Sequence, residues 1–186
     1  MPIVCLGWGS LIWDPRELPI SPKWETDGPE LRVEFARQSS DGRITLVIAE
    51  EAIPVPVLWS TLSVDSLDDA RQALAWREGI SDSFLERSIG YWCPARISPH
   101  RESQQIGQWA GSRSLQGVVW TALKPRFEGK PFKPSCDQII SYLSELDEGS
   151  KRVAEKYIRN TPAQIRTSYR ETIERELDWT AEPYGE

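Results

Sequence analysis

The distribution of hydrophobic and polar positions over the first two thirds of the chain is typical of β-strands. Short apolar runs that end at glycine or proline predict buried strands, and runs that alternate apolar with polar side chains predict half-buried ones. About six such runs occur, over residues 3–6, 31–35, 43–49, 55–61, 89–97 and 117–123. In the second run charged positions alternate with apolar ones, so we expect a half-buried strand there.

One helix is predicted to interrupt this series of strands. Ser66 is a suitable N-cap because Asp68 and Asp69 follow it in what would be the first helical turn. Gly79 then marks the end of the helix, since glycine is the residue that most often follows a helical C-terminus. Between these two signals the apolar residues recur at helical spacing.

Helical signals dominate the last third of the chain. Ser135 with Gln138 three residues later forms a capping box, and Thr161-Pro162-Ala163-Gln164 reads as a second box with proline at the first helical position. The order of strands first and helices last predicts an α+β fold. We expect a single domain over residues 1–186, with C-terminal helices from about 135 and a flexible tail over 178–186.

The net charge, the lack of long apolar runs and the pattern of cysteines exclude some classes of partner and indicate a cellular location. The formal net charge of −6 argues against a nucleic-acid partner, because phosphate binding needs a basic surface. The sequence has neither an apolar run of 18 residues nor a signal-peptide pattern, so we expect no membrane partner. Cys5, Cys93 and Cys136 are widely spaced and form no CxxC pattern, which predicts free thiols and a cytoplasmic location.

The single histidine restricts the chemistry further. A histidine-rich zinc site is excluded, and a serine or cysteine triad would have to use His100. This residue lies in the polar stretch 98–103, so we interpret it as part of a surface loop. The sequence shows no metal-ligand spacing, and we predict no metal site. If the chain is an enzyme, its base is then a carboxylate.

The segment after the first strand, Gly7-Trp8-Gly9-Ser10-Leu11, is a candidate binding loop. Two glycines let the backbone approach a ligand closely, and consecutive amides turned to one side of such a loop bind anions. The segment lacks the third glycine of a dinucleotide fingerprint and the lysine of a phosphate-binding loop. A plain structural turn is the alternative interpretation.

Glu78 is the second candidate. It follows Leu74 by four residues in the predicted helix, so it falls on the same apolar face and points inward. An inward carboxylate at a helix C-terminus, where the macrodipole disfavours negative charge, suits a general base. The alternatives are a side chain frayed into solvent or paired with a nearby arginine.

Three motifs carry a resemblance to a known family. The segment Trp8-Gly9-Ser10-Leu11-Ile12-Trp13 resembles the Tyr-Gly-Ser-Leu-Ile-Trp opening of the γ-glutamyl cyclotransferase superfamily, most closely its ChaC-like branch. Arg37 and the strand Gly42-Arg43-Ile44-Thr45-Leu46-Val47 are similar to the branch's Gly-Arg-Thr-Val-Thr-Leu-Val and the arginine before it. The segment Leu74-Ala75-Trp76-Arg77-Glu78 is similar to its Tyr-Leu-Asp-x-Arg-Glu. The resemblance covers roughly residues 1 to 97.

This resemblance implies a fold, a reaction and a set of roles. The fold is a small mixed β-barrel flanked by helices, and the reaction cyclises a γ-glutamyl amine or peptide to 5-oxoproline, without a cofactor. Glu78 would be the catalytic acid/base, and the backbone amides of Gly9, Ser10 and Leu11, beside Trp8, would hold the substrate. Arg37 would bind a substrate carboxylate; Arg32 is the other candidate, and the odd spacing of the two places them on opposite faces of a regular strand.

Departures from the family pattern leave the substrate open. Trp8 replaces the usual tyrosine, the segment before Gly42 is shortened to Ser39-Ser40-Asp41, and Gly79-Ile80-Ser81-Asp82 replaces the usual Gly-Gly-Tyr. These differences argue against glutathione and do not identify the leaving amine or the oligomeric state. Two alternatives stay open: a non-catalytic binding module of the same fold, and an enzyme that releases a γ-glutamyl group from a modified protein or an antibiotic-like amine.

Overall fold

The computed structural model describes residues 1–183 and confirms the α+β class. The strands are β1 Ile3–Gly7, β2 Glu30–Leu31, β3 Val33–Gln38, β4 Ile44–Ile48, β5 Val55–Pro56, β6 Leu58–Leu62, β7 Ile89–Cys93, β8 Arg96–Ile97 and β9 Gly117–Thr121. The α-helices are α1 Leu67–Arg77, α2 Leu85–Ser88, α3 Ser103–Ser112, α4 Cys136–Glu145, α5 Glu148–Asn160 and α6 Ser168–Leu177. The tail predicted over 178–186 lies partly outside the described residues.

The expected barrel is not found in this part of the chain. The strands form one five-stranded sheet, in the order β6-β1-β9-β7-β8, and two separate pairs, β2 with β5 and β3 with β4. None of these sheets closes on itself within residues 1–183. The predicted strands over 31–35, 55–61 and 89–97 are each divided in two, so the described residues contain nine strands where about six were expected.

The chain divides into two compact units, each made of three segments. Unit 1 consists of Met1–Gly7, Asp14–Glu30 and Pro56–Leu123. Unit 2 consists of Trp8–Trp13, Leu31–Val55 and the chain from Lys124 onward. The Gly7–Leu11 segment therefore begins in unit 1 and continues in unit 2.

Unit 1 is built around β1, which pairs antiparallel with β6 and parallel with β9. All five of its residues are buried, as expected for an apolar strand in the interior of a sheet. Helix α1 packs against β9 and β7, and α3 packs against β7. The short run Ile3-Val4-Cys5-Leu6 is thus correctly identified by its composition as a core strand.

Helix α1 begins and ends where its sequence signals predicted. The Ser66 hydroxyl accepts a hydrogen bond from the Asp69 amide at 3.1 Å, and Gly79 follows the helix with a φ of +68°, which favours glycine. At the start of the helix, the Leu67 side chain lies against Gly117, beside Ile3 at the start of β1. The helix therefore begins over the start of β1 and carries Glu78 at its other end.

Unit 2 combines the β3–β4 pair with α4, α5 and α6. The capping box at Ser135 is confirmed, because the Ser135 side chain and the Gln138 side chain each bond the other's backbone amide. The second predicted box is wrong. Thr161 is the C-cap of α5, and its hydroxyl bonds back to the Tyr157 carbonyl, while the last helix is capped by Thr167.

The expectation of a half-buried strand over 31–35 is also wrong, because Glu34 is fully buried. One carboxylate oxygen of Glu34 accepts hydrogen bonds from the Phe35 amide and the Thr167 hydroxyl. The other accepts from the Ser168 hydroxyl at 3.0 Å and the Tyr169 amide at 3.3 Å. Glu34 thus holds the first turn of α6 onto β3, and the four donors offset part of the cost of burying its carboxylate.

We expect Glu34→Gln to remove a pH dependence of stability. Burial raises the pKa of Glu34 above its ordinary value, and this outweighs the hydrogen bonds that favour the ionised form. A raised folded-state pKa means that the associated stability is present at low pH and is lost as pH rises through the folded value. The free energy of unfolding of the wild type, relative to Glu34→Gln, should therefore fall between pH 4 and pH 8 in urea titrations. This interpretation would be contradicted if the difference in free energy of unfolding between the wild type and Glu34→Gln stayed constant as pH rises, or changed in favour of the wild type.

Candidate functional site

Glu78 is the C-cap of α1, and it is both directed inward and paired with an arginine. Its side chain is 18% exposed, and Oε1 accepts a hydrogen bond from Arg77 Nη1 at 2.6 Å. Within residues 1–183 the second carboxylate oxygen, Oε2, accepts no hydrogen bond. One oxygen is therefore fixed by Arg77, and the other is able to accept a proton.

The buried guanidinium of Arg77 joins Glu78 to the residue at which the loop returns to unit 1. Arg77 Nη2 donates to the backbone carbonyl of Asp14, which is the first residue of unit 1 after Trp8–Trp13. Arg16, two residues further on, donates from Nη1 to the Arg77 carbonyl at 3.1 Å. The end of the loop is thus bound to the C-terminal turn of α1.

The start of the loop follows β1. Burial raises the pKa of the Cys5 thiol in the middle of this strand, and the negative charge of Glu78 raises it further. Gly7 is the last residue of β1 and comes two positions after Cys5. At the other end of the loop, Asp14 is joined to Glu78 through the guanidinium of Arg77.

In unit 2 the loop residues form a turn closed by a hydrogen bond from the Ile12 amide to the Gly9 carbonyl at 3.0 Å. The Trp8 side chain is buried, and its indole N–H donates to the Leu46 carbonyl at 3.2 Å. Leu11 is buried as well. Because these side chains are used for packing, a ligand would meet the backbone of the loop. The amides of Gly9 and Leu11 donate no hydrogen bond within the described part of the chain.

Tyr157 is a residue of this region that the sequence did not indicate. It lies on α5 with its hydroxyl 2.4 Å from where a Cβ on Gly9 would stand, and the same hydroxyl accepts from the Leu46 amide at 3.3 Å. Its ring packs edge-on against Trp13 and Phe35. The contact explains why position 9 has no side chain: the tyrosine hydroxyl occupies the space.

We expect Gly9→Ala to destabilise the protein by about 1–3 kcal/mol, because the added methyl group overlaps the Tyr157 hydroxyl. Removing that hydroxyl should recover most of the loss, since the next ring atom stands 3.4 Å from the methyl position. Urea unfolding of Gly9→Ala, Tyr157→Phe and the double variant measures the coupling. Additive effects of the two changes would show that the overlap is not the cause.

Arg37 is the penultimate residue of β3. Its Nη1 donates to the Lys124 carbonyl at 2.8 Å, and burial and the neighbouring charge of Arg126 lower the pKa of its guanidinium. The argument that Arg32 and Arg37 lie on opposite faces of one strand is wrong. Arg32 falls between β2 and β3, and an irregularity between Phe35 and Arg37 interrupts the alternation of β3. The structure thus gives no contact between Arg37 and the loop amides within the described residues.

The remaining chemistry-bearing residues are dispersed. His100 lies half-buried between β8 and α3, and its carbonyl accepts from the Ser103 hydroxyl. The three cysteines are free thiols. In the described chain no three His, Cys, Asp or Glu side chains come together in a group able to hold a metal ion. No helix among residues 1–183 has the length and apolar character needed to span a bilayer.

A pocket of about 400 Å³ lies in unit 1 beside Arg77. The segment between β1 and β2 contributes one wall through Arg16, Glu17 and Leu18, and α1 contributes Ala73, Trp76 and Arg77. The Trp76 indole is 77% exposed, which is unusual for so large an apolar side chain. Arg77 lines this pocket and also forms the ion pair with Glu78.

Comparison with known proteins does not place the chain in a family. The chain was compared with protein-family models, with curated proteins and with solved structures, and none of them matches it. The three sequence motifs and the geometry of Glu78, Arg77 and the loop are therefore the grounds on which a function is argued.

Proposed function

We propose that the chain is a γ-glutamyl cyclotransferase-like enzyme of the cytoplasm. It cyclises a γ-glutamyl amine or peptide to 5-oxoproline and releases the amine, with Glu78 as general acid/base. The supporting observation is that the buried guanidinium of Arg77 bonds both the Glu78 carboxylate and the carbonyl of Asp14, the residue at which the loop returns to unit 1. Among the described residues the second oxygen of that carboxylate accepts no hydrogen bond, and such an oxygen is the chemical group the reaction needs.

The reaction begins with a proton transfer. An α-amine is largely protonated at neutral pH, with an ordinary pKa of about 7.7–8.0, and cannot attack until it is deprotonated. Glu78 takes the proton through Oε2, and the amine nitrogen then attacks the γ-carbonyl carbon of the same glutamyl group. A new C–N bond closes the five-membered ring, and the bond to the leaving nitrogen breaks as the protonated Glu78 returns its proton to that nitrogen. The ring nitrogen then loses its second proton, through Glu78, to the released amine, which leaves as an ammonium ion.

In this proposal the Gly7–Leu11 loop orients the substrate. Amides of Gly9 and Leu11 that have no partner in the described residues are suited to a carboxylate, and Ser10 lies between them. Holding the α-carboxylate fixes the glutamyl chain so that its amine and its γ-carbonyl meet, which gives the entropic advantage of ring closure. Arg37 remains a predicted second contact for a carboxylate, because its bond to Lys124 uses one of five N–H donors.

A non-catalytic binding module is the second candidate. The observation in its favour is that Glu78 pairs with Arg77, since an ion pair of this kind also stabilises a helix terminus without any catalytic role. In that case the loop would hold a small acid or a peptide, and no bond would be broken.

A substrate panel separates the two candidates. The purified chain is incubated with γ-glutamyl amines, γ-glutamyl dipeptides, glutathione and an isopeptide of γ-glutamate with lysine, the last to represent a modified protein. Mass spectrometry then measures 5-oxoproline and the free amine, which the enzyme should release in equal amounts. Binding of one compound with no turnover of any would favour the binding module and overturn the proposed reaction.

A further inference from the structure

We propose that Arg77 is a positioning residue, which holds Oε1 of Glu78 so that Oε2 faces the substrate amine. The inference rests on the proposed function and adds a residue that acts through the base. Three observations carry it: the burial of the guanidinium, the two different atoms that it bonds, and the place of Asp14 at the end of the loop.

The burial of Arg77 means that its contacts with Glu78 and Asp14 matter energetically. Its side chain is 5% exposed, so an unpaired charge there would be strongly destabilising. By contrast, the nearby pair of Arg16 and Asp14, at 3.5 Å, joins two side chains that are more than half exposed, and water screens such pairs. The Arg77 pair with Glu78 is therefore the one that fixes a geometry.

The fork of the guanidinium sets the position of the carboxylate. Nη1 bonds Glu78 and Nη2 bonds the Asp14 carbonyl, and these two nitrogens keep a fixed separation in a planar group. The carboxylate is thus aligned with the backbone at the residue where the loop returns to unit 1. Lysine carries one nitrogen on a flexible stem, so it cannot make both contacts with this geometry.

The test compares Arg77→Gln and Arg77→Lys with the wild type at pH 7, using the substrate that the panel identifies. We expect Arg77→Gln to lower kcat by roughly 10- to 100-fold, with KM changed by less than about threefold. Arg77→Lys keeps the charge but cannot bond both Glu78 and the Asp14 carbonyl in the same geometry, so it should also lose part of kcat with little change in KM.

Arg71→Gln is the matched control. Arg71 lies on the same helix, is also 5% exposed and bonds Glu86 at 2.6 Å, and it is outside the site. Its variant should lose stability but keep kcat at temperatures where it is folded. Wild-type kcat in a folded Arg77→Gln would overturn the inference. If the glutamine variant does not fold, wild-type kcat in Arg77→Lys would overturn it. Failure of the proposed function would show separately, as no turnover by the wild type.

Discussion

Glu78→Gln should lower 5-oxoproline release by at least about 100-fold while leaving the protein folded and able to bind its ligand. Glutamine has the shape of glutamate and an oxygen that still accepts a hydrogen bond from Arg77. The structure at the C-terminal end of α1 should therefore be unchanged. Its amide cannot take the proton of the substrate amine, so the attack on the γ-carbonyl does not start. Mass spectrometry measures the release. Calorimetry with an analogue that has a methylene in place of the leaving nitrogen measures the binding.

Glu86→Gln is the control for this prediction. Glu86 also accepts a short hydrogen bond from a buried arginine, but that arginine is Arg71, and the Glu86 side chain is exposed. We expect its variant to turn over substrate like the wild type. Full activity in Glu78→Gln would remove the mechanism, whereas equal losses in both variants would indicate that any break in an arginine pair on this helix disturbs the fold.

Arg170→Met should be the most destabilising single change described here, at about 3–5 kcal/mol. The guanidinium is fully buried and donates to the carbonyls of Thr161, Pro162 and Ile165 at 2.8, 2.7 and 3.2 Å, and to Glu174 at 2.9 Å. Burial lowers the pKa of Arg170, yet these acceptors offset the cost of its charge. Methionine fills the volume but leaves all four acceptors without this donor.

Urea unfolding of Arg170→Met beside Arg166→Met measures the effect. Arg166 belongs to the same part of unit 2 and bonds Glu171 at 2.9 Å, but its side chain is 61% exposed. A screened pair of this kind contributes less than about 1 kcal/mol. Equal losses of stability in the two variants would show that the carbonyl contacts of Arg170 do not hold the turn between α5 and α6.

The features that could be predicted from the sequence are those determined by neighbouring residues. The cap of Ser66 by the Asp69 amide and the reciprocal bonds of Ser135 and Gln138 each lie within one helical turn. The inward position of Glu78 follows from its spacing to Leu74 within one helix. For the same reason β1 was identified from its four apolar residues.

The features that could not be predicted depend on distant residues. Glu34 is buried because Thr167 and its neighbours approach it from 133 positions away, and no local pattern distinguishes it from a solvated strand residue. Tyr157 meets Gly9 across an even longer separation, on a helix, α5, that went unpredicted because few of its residues are apolar. The wrong assignment of Thr161 has a local origin, since proline is common both at the first position of a helix and just after a helix C-cap.

The anchoring of Glu34 has a consequence for how the protein is made. A ribosome adds about 5–20 residues per second, so the donors on Thr167 and Ser168 emerge roughly 7 to 27 seconds after β3. During that interval the nascent β3–β4 pair carries a carboxylate whose helix partner has not been synthesised, beside apolar residues that are not yet covered. Unit 2 is therefore completed only after α6 has been synthesised, and chaperone dependence in a cell should be concentrated in this delay.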